Sequence, residues 1–197
     1  MDTEEFWALV EASDRAVDGP DERLTWLTDR LAGLPTAEVV DFQLRLDEAH
    51  ARADTTRLWD AALRICGGLC SDDGFHYFHA WLVGLGRSVF ERAVADPDTL
   101  ADVPRVRRLA GRPTSEWSDE EWPDWESLDY VADEAYERIT GVAEGLEDAV
   151  LARGEPGDDS SDPGDEPEEP VESDDPAEFA RRYPRLAAMF PPVPGRP

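Results

Sequence analysis

The stretch from Leu58 to Phe90 constrains the fold more than any other, because it combines two helical apolar stripes, a glycine break and a strong cap. Leu58, Ala62 and Ile65 recur at helical spacing, and Gly67-Gly68 follow, where glycine can take the positive φ of a helix C-terminus. Ser71 then offers its side chain to a backbone N–H, while Asp72 and Asp73 fall in the first turn, where unpaired N–H groups favour negative charge. In the second helix Phe75, Phe78, Leu82 and Leu85 step by three, four and three, with Tyr77 and Trp81 on the flank. The pattern predicts a tight helical hairpin. Its large apolar side chains, at about 1.5–3 kcal/mol each when buried, make it a major source of stability.

The flanking sequence predicts further helices. Asp2 and Glu5 have capping-box spacing, and Phe6, Leu9 and Val10 form a patch beside Trp7, giving a first helix over about residues 3–17. Asp18-Gly19-Pro20 closes it, and Pro20 opens a second helix with Leu24, Leu27 and Leu31 on one face. Thr36 is expected to cap a third, in which Val39, Phe42, Leu46 and Ala49 recur while Asp41, Arg45 and Glu48 stay outside at a spacing that allows an Asp-to-Arg pair. Asp54 or Thr55 caps the next. After Gly86 a short helix with Val89, Phe90 and Ala93 stops before Pro97, and Asp98-Thr99-Leu100 adds a turn. From Val103 to Trp125, three prolines and no steady period predict an irregular excursion. Leu128, Val131, Ala135, Ile139 and Val142 mark a last main helix, with room to continue through Leu146 and Val150. The expected fold is all-α, a single compact multi-helix domain over residues 1–153 with an irregular Trp-rich excursion.

Beyond it, residues 154–178 are Gly, Pro, Ser, Asp and Glu almost throughout, a composition expected to be a disordered acidic linker. A short apolar and basic segment, 179–197, follows with Phe179, Tyr183, Leu186, Met189 and Phe190. Folding back on the body, binding another protein as a helix and remaining idle all stay open for it.

The net charge of −27 is not confined to that linker: residues 1–155 hold 35 acidic side chains against 15 arginines, a net −20. Such a surface repels nucleic-acid phosphate and anionic lipid and speeds encounter with a basic protein. The expected partners therefore exclude nucleic acid and membrane and include a basic protein, with the oligomeric state open. The sequence has no signal segment and no run of 18 apolar residues, which points to a reduced, cytoplasmic protein.

The run Leu58-Trp59-Asp60-Ala61-Ala62, then Gly67-Gly68, then Ser71-Asp72-Asp73-Gly74-Phe75 with Phe78 and Trp81-Leu82, resembles a bacterial family catalogued as domain of unknown function 4240. Glu5-Phe6-Trp7, Asp96-Pro97-Asp98-Thr99-Leu100, Tyr130-Val131-Ala132 and Ala135-Tyr136 are also similar, so the likeness spans about residues 2–141. The resemblance implies no established activity. His76 and His79 stand where the family pattern leads to other side chains, so it implies no metal role for them.

Several residue sets carry chemistry in principle. Cys66, Cys70, His76 and His79 follow a C-x3-C-x5-H-x2-H order that matches known zinc spacings poorly, and no metal or cofactor is expected. A disulfide between cysteines four apart would close only a short loop and add little stability. Asp72 and Asp73, with His76 one turn from Asp72, are catalytic candidates for acid–base work or a cation, although helix capping explains both acids more simply. Arg105, Arg107, Arg108 and Arg112 form the one basic cluster of the body; Arg107 and Arg108 are binding candidates, with neutralisation by the following acids as the simpler account. Trp117, Trp122 and Trp125 could cage a cation, or pin an irregular segment to a helical core, the reading favoured here.

The leading reading is thus a non-enzymatic acidic protein-interaction domain, of which an immunity or inhibitor type is one form. The alternative is an enzyme with its site at the Ser71-Asp72-Asp73 helix start.

Overall fold

A computed structural model describes residues 1–154 and 176–191, and among these the regular structure is helical, without a strand. The α-helices are α1 (Thr3–Ala16), α2 (Pro20–Ala32), α3 (Thr36–Ala53), α4 (Thr56–Ile65), α5 (Asp72–Gly84), α6 (Arg87–Ala95), α7 (Pro104–Leu109), α8 (Val131–Thr140), α9 (Gly145–Gly154), α10 (Pro176–Arg182) and α11 (Pro184–Met189). The all-α expectation holds. The chain divides into two compact units, Met1–Ala51 with Trp125–Glu166, and Arg52–Asp124 with Pro167–Pro197.

In the first unit, α1 starts as its spacing demands: the Glu5 N–H donates to Asp2 and the Asp2 N–H donates to Glu5, both at 2.8 Å. Its face buries Phe6, Trp7 and Val10, and Phe6 packs against Phe42 of α3 with ring centroids 5.1 Å apart. Helix α2 packs against α8, where Arg138 reaches Asp29 at 2.8 Å. Three details differ from expectation. Thr36 is the first residue of α3 rather than its cap; the Pro35 carbonyl accepts from Glu38 and Val39 instead. Asp41 pairs with the N-terminal ammonium and with Arg153, leaving Arg45 to Glu48. Helix α8 does not continue through Leu146, because Gly141 adopts φ +72 and stops it, and α9 starts afresh at Gly145.

The second unit contains the hairpin. Thr55, not Asp54, caps α4, accepting from the Leu58 N–H at 3.2 Å. Trp59 of α4 meets Phe75 of α5 edge-on at 4.9 Å. The C-terminal half of α5 is buried all round its circumference, from Phe78 to Gly84, so the helix is a core element rather than an amphipathic face. The excursion after Val103 holds an α-helix unforeseen in the sequence: Pro104 fixes φ at the first position of α7, and Val106 and Leu109 are buried.

The linker expected over 154–178 lies mostly outside the described residues, and its last three positions already belong to α10. The C-terminal segment folds back within the second unit. Phe179, Tyr183 and Leu186 are buried, the Tyr183 hydroxyl donates to the Arg57 carbonyl at 3.2 Å, and the Arg64 guanidinium covers the Phe179 ring at 4.3 Å.

Candidate functional site

The hairpin junction is set by short-range hydrogen bonds. Gly67 and Gly68 have φ of +63 and +80, the Gly68 N–H donates to the Leu63 carbonyl at 2.8 Å, and the Leu69 N–H returns to the Cys66 carbonyl at 3.2 Å. Two consecutive left-handed residues inside that ring make a tight reverse turn, which residues with a Cβ disfavour. Ser71 then caps α5, its Oγ accepting from the Gly74 N–H at 3.1 Å. Asp72 and Asp73 lie exposed in the first turn, not turned inward toward an enclosed site. His76 is exposed one turn on, whereas His79 is buried edge-on to Phe75 at 4.1 Å. Among the described residues, Cys66 and Cys70 do not join His76 and His79 as a ligand set. Of the catalytic candidates, Asp72, Asp73 and His76 therefore share one exposed helix start.

The arginine and tryptophan candidates separate. Trp117 is buried and Trp122 half-buried in the second unit, ring centroids 5.0 Å apart. Trp125 belongs to the first unit, where the Arg23 guanidinium lies over its ring at 4.5 Å. Arg107 donates to the Ala101 carbonyl at 2.9 Å and lies near Asp102, while Arg108 is exposed. Arg112 grips Glu121 with two nitrogens and also donates to the Glu116 carbonyl at 2.8 Å. That guanidinium, helped by the Ser118 backbone N–H, pulls the Glu121 carboxyl down to about 2.

Two polar residues escaped the sequence reading. Arg23, 4% exposed, donates from Nε to Ser13 and from another nitrogen to Asp14, both at 3.1 Å, beneath its stack on Trp125. Asp98, 6% exposed, accepts from the backbone N–H groups of Arg185 and Leu186 at 3.0 and 2.9 Å, while the Arg185 side chain pairs with Asp102. Asp98 thereby supplies α11 with a cap, across 87 residues of sequence, that its own start lacks. Neither signal is local: Arg23 looks like a surface helix residue and Asp98 like part of a turn.

Fold and site together define an acidic type of protein, helical among the described residues, whose second unit holds an aromatic hairpin with Asp72, Asp73 and His76 exposed at one helix start. The chain belongs to the family described as protein of unknown function (DUF4240), whose model matches residues 1–138. Comparisons with curated proteins and with solved structures find no match.

Proposed function

We propose that this chain is a non-enzymatic, cytoplasmic interaction domain whose acidic surface receives a basic protein. One observation carries the reading. Several of the body's arginines pair with the chain's own acids, as in Arg87–Glu91, Arg112–Glu121, Arg138–Asp29 and Arg153–Asp41, and the acids of residues 1–155 still outnumber its arginines by 20. That surplus of −20 over residues 1–155 gives the chain a net negative field that steers a cationic partner toward it. Asp119 and Glu120, exposed beside Trp122, give such a partner both charge and an aromatic face.

Affinity capture with the full chain, followed by titration of the captured protein at several salt concentrations, tests the proposal. A basic partner should bind about tenfold or more weaker at high salt, and weaker again after Asp119→Lys with Glu120→Lys. Capture of no partner, or of one whose binding ignores both salt and charge reversal, overturns it. No helix among the described residues is long and apolar enough to cross a membrane.

A further inference from the structure

In the docked C-terminal segment Phe179, Tyr183, Leu186 and Phe190 stand four, three and four positions apart, and all four are buried. Anchors at that spacing are how a helix lays one face into a groove. Here the face runs through two short helices, because Pro184 has no N–H to continue α10 and instead opens α11. The receiving surface comes from α4 and the 3-10 helix Pro97–Asp102, both of which pack against α11. It holds the segment along its length. Arg64 covers the Phe179 ring at 4.3 Å, and the Arg57 carbonyl accepts from the Tyr183 hydroxyl at 3.2 Å. Asp98 accepts from the backbone N–H groups of Arg185 and Leu186, and Asp102 takes the Arg185 guanidinium with both carboxylate oxygens.

The two sides differ in origin and in charge. Arg57, Arg64, Asp98 and Asp102 all lie inside the stretch that matches the family model, whereas the segment lies beyond the end of that match at residue 138. The surface is thus part of the family domain, and its occupant is a separate length of chain reached through residues 155–175. Residues 179–197 carry four arginines and no acid, and the one that enters the contact, Arg185, meets carboxylates.

We propose that this surface is a recognition groove for a short basic helix with aromatic and leucine anchors, presented by another protein, and that residues 176–190 are its tethered occupant, which such a helix displaces. Tethering keeps the occupant at an effective concentration on the order of millimolar, so the groove stays closed to weak or scarce helices. A helix that enters must bind more tightly than the occupant, by the factor that the closed state imposes. In the partner's charge the inference deepens the function proposed above and rests on it; the groove itself does not.

The test uses the full chain with a site-specific protease sequence inserted between Ser160 and Ser161, folded first and then cut. The probe is a fluorescein-labelled peptide of residues 176–191, read by anisotropy. After cutting, the released piece should separate on dilution, helicity of the body should persist, and the labelled peptide should bind about tenfold or more tighter than to uncut chain. Leu186→Ala or Arg185→Glu, made in the peptide so that folding of the body is not at stake, should each weaken binding about tenfold or more. Loss of body helicity on cutting, equal binding to cut and uncut chain, or equal binding of a scrambled peptide of the same composition would each overturn the inference. These readings need only the chain and its own peptide, so their failure removes the groove, whereas a failed capture removes only the function proposed above. A captured basic partner should displace the labelled peptide; one that binds without displacing it would overturn the assignment of the groove to that partner.

Discussion

Two helix starts in the second unit solve one problem in opposite ways. Helix α5 is capped by Ser71, three residues from the N–H it satisfies, whereas α11 is capped by Asp98, 87 residues upstream. The first arrangement is written in local spacing and holds as soon as the helix nucleates. The second exists only once α11 has docked, and it in turn holds the docked segment, because a buried carboxylate without its N–H partners would be costly. A local cap therefore defines an element, while a remote cap defines a tertiary contact.

This contrast breaks most sharply at the apolar anchor of the docked segment. Leu186 is fully buried, and Leu186→Ala should cost about 2–5 kcal/mol, read by chemical denaturation together with faster amide exchange over 184–190. Asp98→Ala should cost about 2 kcal/mol and release the same segment while leaving exchange in α5 unchanged; Asp98→Asn, which keeps one acceptor, should release it less. Ser71→Ala should show the reverse pattern, about 1 kcal/mol with fraying of the first turn of α5 and no change at α11. Equal fraying of both segments in either variant would erase the distinction between the two caps.

The smallest effect belongs to Glu121, which caps Ser118 locally and also takes Arg112 from nine residues away. Its folded value of about 2 lies below the ordinary 4.5, so the pairing contributes stability above about pH 4.5 and loses it as pH falls through about 2. A carboxyl NMR titration of Glu121 should place its midpoint near 2, and Arg112→Gln should return it toward 4.5. An unchanged midpoint in that variant would assign the shift to the Ser118 cap alone.

Much of the candidate site was legible before any coordinates. The break at Gly67-Gly68, the Ser71 cap and the Asp2–Glu5 capping box depend on groups within five residues of each other, and all three stand where spacing puts them. The start of α3 was misread because a threonine at a helix boundary can be the cap or the first helical residue. Ile139 and Val142 fit the α8 stripe but are exposed, since periodicity marks a face without saying that anything covers it. The grouping of three tryptophans was a matter of sequence proximity; Trp125 instead turns to Arg23, about a hundred positions earlier.

What the sequence determined by itself is the all-helical class, the hairpin and its turn, and the acidic surplus, because each follows from residue type and short spacing. The tertiary structure alone decided that Asp98 holds α11, that Arg23 is buried under Trp125, and that the C-terminal segment docks in cis. The reason is combinatorial as well as energetic: with 46 acidic residues in the chain, composition cannot say which one a remote helix will choose. Only apolar burial strong enough to offset the entropy of closing the intervening loop makes that choice.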